Sequence, residues 1–420
     1  MTPPDGPRRL RAAFVNVSHP RVPHVSGMRV PYFARQMSQR GHKIVLLTPS
    51  LGGGDKTTRL PLSNSFSRHD WREPLHVSCE PLAAYLDDGF RDGWRGLRTA
   101  KIAAGLLFGD GLQPSWPASA RPYLRELSDA FLPDVVWATF GSVSNLIVAR
   151  ELADISGAAW VMDIKDNWRS YVPWPIGGAV ARRFRSVAGF TANSEHHAEI
   201  ARRWFDHDSV VIYSGVAQEM IADKGQVDFD TFRIMLMGSI YENQSLIHFL
   251  DALRRWLGRI DPPALSKIEF RYAGSAFDRV QDATRQNPLP CRVIATPTLP
   301  LDQLARQCHG AAVNCYLWFP TTFHHKLLEL LACGRPVIAF PGEHEESIAL
   351  ARRLGGELHP CSDASELSNA LDCAWTDWRG GVENTHGKVD AGALSWSAMT
   401  DDLEAFLLEA VASRHGRVSR

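Results

Sequence analysis

The sequence has no excess of charge of either sign, with 46 Lys and Arg residues against 46 Asp and Glu residues. A domain that binds nucleic acid is usually basic overall, so this balance argues against a nucleic-acid partner. None of the seven cysteines forms a Cys-x-x-Cys pair, which argues against a zinc or redox site of that kind. Their odd number and their positions in apolar runs are typical of buried free thiols, and they indicate a reducing, cytoplasmic compartment.

Long apolar runs are also missing. No window approaches the ~18 uninterrupted apolar residues of a transmembrane helix. The first residues, MTPPDGPRRLRAAF, contain no apolar core of a signal peptide. We therefore expect a cytoplasmic protein.

Two stretches of the sequence are rich in arginine. They are 179–187, with Arg182, Arg183 and Arg185, and the Trp/Arg-rich 93–108. Both fit either peripheral contact with an anionic membrane or a plain solvated surface. The oligomeric state cannot be derived from the sequence.

The sequence does contain a repeated alternation of apolar strands and amphipathic helices. Its length of 420 residues favours two domains. After a strand at 12–18, the apolar residues Val30, Phe33, Ala34 and Met37 recur at helical spacing, and a second strand follows at 43–50. Nearly all-apolar strands that alternate with helices predict parallel sheets covered on both faces. Further strands are predicted at 134–140, 158–164, 189–194, 210–216, 232–239, 267–274, 291–297, 311–318 and 335–341.

The alternation of strands and helices is interrupted by a polar, charged stretch near 215–230, and this interruption suggests the boundary between two domains. We predict a disordered tail over 1–9, Rossmann-like domains over 10–221 and 222–394, and a closing helix within 395–420. Residues 51–130 look irregular, apart from one helix near 97–108. Open α/β sheets bind ligands at the carboxyl ends of their strands, at the topological switch point. We therefore expect the functional site at these edges, in a cleft between the two domains.

The run KLLELLACGRPVIA, at 326–339, carries the strongest chemical pattern. Lys326 and Glu329 are three residues apart on a predicted helix and share a face. The first turn of that helix would offer unsatisfied N–H groups to an anion, and Lys326 would add a positive charge. Glu329 can accept two hydrogen bonds from a vicinal diol such as a ribose. The pattern predicts a nucleoside diphosphate site, although a solvated pair of charges is the simpler alternative.

This run resembles the signature of family 4 glycosyltransferases of the GT-B fold. Within that family it is most similar to the bacterial enzymes that build surface polysaccharides. Other segments resemble further motifs of that family in the same order. They are HVSGMRVPYFARQMSQRGHKIVLLTP, DIKDNW, TANSEHHAE, VVIYSGV, FRIMLMGSIYENQSL and SWSAMTDDLEAFLLEA. Six matching segments in order are more specific than any one of them.

The resemblance implies a GT-B architecture: two Rossmann-like domains whose parallel sheets face across a cleft, with the last helix crossing back to the first domain. It implies retaining transfer of a sugar from a UDP- or GDP-linked donor, bound by the second domain. The hydroxyl acceptor, a glycan, lipid-linked glycan or small molecule, would bind the first domain. No cofactor is implied, and the absence of an Asp-x-Asp motif implies no metal.

The resemblance also suggests site residues. Glu329 would bind the ribose, Lys326 the leaving diphosphate, and Asp166 would orient the acceptor hydroxyl. Gly27 would let the backbone approach the diphosphate, with Arg29 as a further cation. The remaining predicted donor contacts are Gly238, Ser239, Gln244, Thr321, Thr322, Phe323, His325 and Leu327.

The sequence departs from the family pattern at two places. Thr321 stands where many members have a glutamate that holds the donor sugar, and the glycine turn at Gly238 has no Arg or Lys. These departures keep two alternatives open: a non-catalytic or regulatory scaffold of the same fold, and a nucleotide-sugar epimerase. Adjacent His324 and His325 could suggest a metal pair, but neighbouring residues of a helix do not face each other.

Overall fold

The computed structural model of the chain describes residues 8–22, 25–52, 57–82, 95–222, 226–382 and 389–418. The chain divides into two compact units, Met1–Ser214 together with Met399–Arg420, and Gly215–Ala398. Each unit is built on a parallel sheet with helices packed against it, which confirms the predicted fold class.

The first unit contains a seven-stranded sheet in the order β3-β2-β1-β4-β5-β6-β7. Its strands are β1 (Arg11–Val15), β2 (Lys43–Pro49), β3 (Leu75–Cys79), β4 (Val135–Thr139), β5 (Ala159–Ile164), β6 (Gly189–Ala192) and β7 (Ser209–Val211). Its helices are α1 (Val25–Gln39), α2 (Ser63–Arg68), α3 (Arg95–Leu107), α4 (Ser115–Glu126), α5 (Val143–Ser156), α6 (Trp168–Tyr171), α7 (Gly177–Arg182) and α8 (Glu195–Phe205).

The second unit contains a six-stranded sheet in the order β10-β9-β8-β11-β12-β13. Its strands are β8 (Phe232–Met237), β9 (Ile268–Ala273), β10 (Arg292–Thr296), β11 (Val313–Leu317), β12 (Val337–Phe340) and β13 (Leu358–Pro360). Its helices are α9 (Gln218–Ala222), α10 (Asn243–Leu257), α11 (Pro262–Leu265), α12 (Phe277–Gln286), α13 (Leu301–His309), α14 (Lys326–Ala332), α15 (Glu345–Arg353) and α16 (Ala364–Arg379), and α17 (Trp396–Val418) closes the chain.

Both sheets change direction at their central strands. The chain moves outward from β1 to β3 and then returns to place β4 on the other side of β1. In the second unit it moves from β8 to β10 and returns to place β11 beside β8. The β1/β4 and β8/β11 neighbours are therefore the topological switch points, where ligands of open α/β sheets bind.

Serine caps start two helices of the first unit just past the carboxyl ends of strands. The Ser142 side chain accepts a hydrogen bond from the Asn145 amide at the start of α5, and Ser194 accepts one from the His197 amide at the start of α8. A side-chain oxygen satisfies an amide that the first helical turn leaves without a partner. These short connections direct both helix starts to the carboxyl edge of the sheet.

The segment 51–130, predicted to be irregular apart from one helix, holds more structure than expected. Besides α3 it contains α2, β3 and α4, and a π-helical turn ends α4. Helix α4 forms despite Pro117 and Pro122, because Trp116, Tyr123 and Leu124 are buried against the rest of the first unit. Tertiary burial here outweighs local propensity.

Candidate functional site

The predicted donor residues converge on the carboxyl edge of the second sheet at the β8/β11 switch point. Strand β8 ends at Met237 and runs into Gly238 and Ser239. Strand β11 ends at Leu317 and leads through a loop to α14, which begins at Lys326. The order of the sheet makes β8 and β11 neighbours, so the two connections lie side by side.

Gly238 and Lys326 are in direct contact. Gly238 has a φ of +91°, in the left-handed region that favours glycine, and a Cβ built there would lie 2.1 Å from Lys326 Cε. The Lys326 Nζ donates a hydrogen bond to the Ser239 carbonyl at 3.0 Å. The missing side chain of Gly238 therefore makes the space in which the lysine lies.

A tyrosine from the neighbouring strand supports the Gly238 turn from behind. The Tyr272 hydroxyl donates to the Gly238 carbonyl at 2.6 Å and accepts from the Ala276 amide at 3.0 Å. Gly274 lies so close that an added Cβ would meet the Gly238 carbonyl at 2.4 Å. The Ser275 hydroxyl donates to that of Ser239 at 3.1 Å. The turn is thus held on two sides before any ligand binds.

The first turn of α14 differs from the sequence expectation. The Lys326 amide donates to His324 Nδ1 at 3.0 Å, the Leu327 amide to the His324 carbonyl at 3.2 Å, and the Leu328 amide to the His325 carbonyl at 3.0 Å. These amides are occupied within the chain, and α14 is only seven residues long. The expectation of an open anion site at this helix start is wrong, and the positive charge at this point comes from the lysine side chain.

Burial shifts the pKa values of both Lys326 and Glu329 toward the neutral forms, and each residue opposes the shift of the other. Burial lowers the pKa of Lys326 to about 8, while the Glu329 carboxylate opposes that shift. Burial raises the pKa of Glu329 to about 7, and Lys326 opposes it. The Glu329 Oε1 also lies 3.8 Å from His325 Nε2. Both groups therefore change charge close to neutral pH.

Aromatic side chains line the loop that leads into α14. The Trp318 ring packs on His324 at 4.0 Å between centroids, and its Nε1 donates to the Thr322 carbonyl at 2.8 Å. Tyr241, three residues after Gly238, meets Trp318 edge to face at 5.2 Å. We call Tyr241 and Trp318 the aromatic wall. The motifs of the similar family do not include this pair. The sequence does place one aromatic residue just after each of two strands, and that pattern could have indicated it.

The other predicted donor contacts differ in their exposure. Thr321 and Gln244 are exposed, and Thr322 is partly exposed. Phe323 is 7% exposed and Leu327 is fully buried. The side chains of Phe323 and Leu327 therefore pack behind the site, and any contact of these two residues with the donor would have to come from their backbone.

A basic residue that the sequence analysis missed lies beside the Gly238 turn. Arg279, in the first turn of α12, is exposed, and its Nη1 donates to the Ile240 carbonyl at 3.2 Å. The turn itself has no Arg or Lys, but α12 brings one to it from the next strand connection. In the sequence, Arg279 is marked only by its place in the first turn of a helix that follows the buried strand β9.

In the first unit, Gly27 lies in the first turn of α1 and not in a loop ahead of it. A Cβ at Gly27 would lie 2.3 Å from the Val22 carbonyl oxygen and 3.0 Å from that of His19. The missing side chain lets the chain's own preceding loop pack against the helix. Packing therefore accounts for this glycine, and the suggested contact with a diphosphate stays a prediction.

Arg29, also named as a cation for phosphate, is fully buried. Its Nη2 and Nε donate to the two carboxylate oxygens of Asp163 at 2.8 and 3.0 Å, and Nη1 donates to Ser214. Thr139 and Thr191 donate to the same carboxylate. Such a fully paired buried charge organises the core, so the role suggested for Arg29 is corrected.

Asp166 lies at the carboxyl edge of the first sheet, paired with its neighbour. The Lys165 Nζ, on a side chain only 3% exposed, is 2.5 Å from Asp166 Oδ2, whose side chain is 29% exposed. Both lie over Gly141 at the end of β4. Trp168 of the same motif is buried and packs on Phe140 at 4.9 Å, so it is a core residue.

The basic stretch 179–187 is not uniformly solvated. Arg182 and Arg185 are exposed, whereas Arg183 is partly buried and donates to the carbonyls of Leu106 and Gly109. Burial lowers the pKa of Arg183. Arg182 and Arg185 line a cavity of about 370 Å³ with an aromatic floor that includes Trp204.

Among the described residues, no group of three or more His, Cys, Asp or Glu side chains is arranged to hold a metal ion. Over the same parts of the chain, none of the helices is both long and apolar enough to cross a membrane.

No protein-family model matches this sequence, and no curated protein sequence matches it. Solved structures do match. A sucrose-phosphate synthase from Thermosynechococcus elongatus is 15% identical with a TM-score of 0.67, covering 96% of this chain and 99% of its own. The Anabaena protein HepE in complex with UDP and glucose is 13% identical with a TM-score of 0.58, covering 96% of this chain and 100% of its own.

An α,α-trehalose-phosphate synthase (UDP-forming) from Burkholderia vietnamiensis is 11% identical with a TM-score of 0.62, covering 96% of this chain and 98% of its own. At such identities the likeness concerns the fold alone. It extends over nearly the whole chain and includes both parallel sheets. The chain therefore has the fold of the GT-B glycosyltransferases.

Proposed function

We propose that this protein is a retaining glycosyltransferase that moves a sugar from a nucleoside diphosphate sugar to a hydroxyl acceptor. The observation that carries the proposal is the Lys326 side chain lying on Gly238 and Ser239, with Glu329 one helical turn further on. A cation and a carboxylate at a switch point match the diphosphate and the ribose diol of such a donor. The acceptor is a glycan, a lipid-linked glycan or a small hydroxyl compound.

In this proposal the second unit binds the donor. Glu329 accepts hydrogen bonds from the ribose hydroxyls, and Lys326 with Arg279 faces the diphosphate. As the bond from the anomeric carbon to the diphosphate oxygen breaks, negative charge grows on the leaving group. Fixed cations stabilise that charge most in a partly desolvated site, which is the dominant contribution in many enzymes.

The solved structures of the same fold suggest which donor to test first. HepE was solved with UDP and glucose, and the trehalose-phosphate synthase is named as UDP-forming. UDP-glucose is therefore the first donor to test, and GDP-mannose the second. Asp166 remains our candidate for orienting the acceptor hydroxyl, with Lys165 holding its carboxylate in place.

Calorimetry and thermal shift with nucleotide sugars test the proposal. A ligand that binds the folded state raises its apparent stability. Two hydrogen bonds to a charged group contribute about 1.5–3 kcal/mol each, so Glu329→Ala should weaken donor binding about 100-fold or more. Glu199→Gln, which changes an exposed carboxylate of the first unit, is the control and should bind as wild type does. Unchanged binding by Glu329→Ala would refute the site.

Two alternatives make different predictions in the same assays. A non-catalytic scaffold would bind no nucleotide sugar, and Thr321 with the uncharged Gly238 turn favours it, whereas Arg279 beside that turn weighs against it. An epimerase would convert or hydrolyse the donor without an acceptor. Product analysis with and without an acceptor mixture separates the epimerase from the transferase.

We also propose a cytoplasmic location with peripheral contact to an anionic membrane through the first unit. Arg182 and Arg185 are exposed, and Phe108 and Trp174 are 86% and 62% exposed. Cations with exposed aromatic rings suit the headgroup region. Sedimentation with vesicles rich in phosphatidylserine should capture the protein, and Arg182→Glu with Arg185→Glu should abolish capture. Equal recovery with neutral vesicles would contradict this.

A further inference from the structure

The aromatic wall keeps a large ring exposed at the edge of the candidate site. Tyr241 is 56% exposed although it contacts Trp318. An exposed ring beside polar groups offers an apolar face to a ligand together with a hydroxyl that can remain solvated. Tyr241 lies two residues after Ser239, whose carbonyl accepts the hydrogen bond from Lys326.

Contacts from the loop before α14 and from Lys326 hold the aromatic wall in place. Trp318 is held by the Thr322 carbonyl and by the His324 ring. Burial lowers the pKa of His324, so its ring is neutral and Nδ1 accepts from the Lys326 amide. Lys326 in turn reaches Ser239, two residues before Tyr241. A ligand would meet a wall that is already ordered, which reduces the entropy lost on binding.

The order of groups along α14 indicates which part of a donor the wall would meet. Glu329 and Lys326 are three residues apart, about 4.5 Å along the helix axis. The loop that carries Trp318 and His324 leads into the same helix on the other side of Lys326. With the ribose on Glu329 and the diphosphate on Lys326, the remaining part of the donor, its sugar, extends toward the wall.

We propose that Tyr241 and Trp318 form a stacking platform for the pyranose ring of the donor, and that Tyr241 determines donor specificity by this contact. This inference rests on the proposed function. A pyranose has one face rich in C–H groups, which packs on an aromatic ring. Thr321 has a neutral hydroxyl at the position where many members of the similar family have a glutamate that holds the donor sugar. The stacking platform would contribute sugar recognition that this glutamate does not provide here.

The test compares a nucleotide sugar with its parent nucleotide. Calorimetry would measure the binding of UDP-glucose and UDP, or of GDP-mannose and GDP where that donor binds wild type more tightly. Tyr241→Ala and Tyr241→Leu remove the ring, Tyr241→Phe keeps it, and Trp174→Ala removes an exposed ring of the first unit as a control. Thermal unfolding checks that each variant folds, which we expect because Tyr241 is largely exposed.

We expect Tyr241→Ala and Tyr241→Leu to weaken the nucleotide sugar about fivefold to tenfold while leaving the parent nucleotide within about twofold of wild type. Tyr241→Phe and Trp174→Ala should resemble wild type. Equal weakening of both ligands would mean that the ring contacts the nucleotide part that they share, and it would overturn the inference, as would no change in either. If wild type binds no nucleotide sugar, the proposed function fails and the inference falls with it.

Discussion

At the scale of single residues, the proposed donor site contains two groups on α14 that change charge close to neutral pH. The pKa of Glu329 is raised to about 7 by burial, and that of Lys326 is lowered to about 8. Glu329 accepts hydroxyl hydrogen bonds best as a carboxylate, so donor affinity should fall as the pH drops through its pKa. Lys326 attracts a diphosphate only while protonated, so affinity should also fall as the pH rises through its own pKa.

We therefore expect UDP-glucose affinity to peak between these two values, because its diphosphate and hydroxyl groups do not titrate in that range. Calorimetry across this pH range measures it. Glu329→Gln should weaken binding and remove the loss on the acid side. Lys326→Arg should move the alkaline loss to higher pH, since an arginine stays protonated. An acid limb that persists in Glu329→Gln would contradict the assignment.

Gly27 is the residue where packing offers an alternative to the suggested ligand role. Gly27→Ala would bring a Cβ to 2.3 Å from the Val22 carbonyl oxygen, which must then move. Overpacking of this kind costs about 1–3 kcal/mol, so we expect a lower Tm with little change in donor affinity. In the matched variant Gly178→Ala, the new Cβ meets nothing within 4 Å, and stability should hold or rise slightly. Lost donor binding at unchanged Tm would favour the ligand role.

At the scale of elements, the turn after β8 and the start of α14 act as one structure. Gly238→Ala would place a side chain in the left-handed region, at a cost of roughly 1–2 kcal/mol. It would also displace Lys326, because the new Cβ would lie 2.1 Å from its Cε. The loss of a charged contact should weaken donor binding about tenfold or more.

Gly381→Ala separates the two effects. Gly381 has a φ of +67° with nothing within 4 Å of an added Cβ. Its substitution should therefore lower Tm by a similar amount and leave donor affinity unchanged. Thermal unfolding and calorimetry on both variants make the comparison. Equal donor affinities in the two would show that the position of Lys326 does not matter for binding.

Most of the strands follow from local sequence pattern, and several other elements do not. Strands β4, β8 and β9 lie where their apolar runs predict them. Strand β3 was missed because it has only five residues, and helix α4 because its prolines hide a pattern that burial then stabilises. Elements β13, α15 and α16 were not predicted either. Helix α14 lies within the run 326–339, as predicted, but the amides of its first turn are occupied by His324 and His325, which no spacing rule reveals.

At the scale of the whole molecule, the last helix joins the first unit. Residues from Met399 onward group with that unit, and Glu404 bonds to Arg40 Nη1 at 2.8 Å and to His42 Nε2 at 2.7 Å. His42 Nδ1 accepts from the Leu10 amide, so Nε2 carries the proton and donates to the carboxylate. This network ties the helix to the chain between α1 and β2.

Glu404→Gln should lower the Tm by a few degrees, for a cost of about 1–2 kcal/mol. Burial raises the pKa of Glu404, but the hydrogen bonds from Arg40 and His42 outweigh it and hold the pKa below its ordinary value. The folded state therefore favours the carboxylate, and its stabilisation is present above the unfolded pKa and lost as the pH falls through the folded one. The difference in Tm between variant and wild type should shrink as the pH falls below the ordinary carboxyl pKa of about 4.3, and it should vanish once the pH is below the lowered pKa of the folded state.

Thermal unfolding across pH measures this, with Glu409→Gln on an exposed position of the same helix as the control. A Glu404→Gln variant with wild-type Tm at neutral pH would show that the network contributes nothing. A difference that persists in acid would show that it acts through packing and not through charge.

The sequence by itself determined the features that repeat locally: two parallel sheets, the helix that carries Lys326 and Glu329, and the turn at Gly238. Those follow from periodicity and spacing, which operate over a few residues. Only the tertiary structure decided which charged side chains are paired inside the protein and which lie beside the candidate site. Arg29 pairs with Asp163, 134 residues away, and Arg279 reaches Ile240 across 39 residues. Contacts between distant segments depend on how elements pack, and no local pattern carries that information.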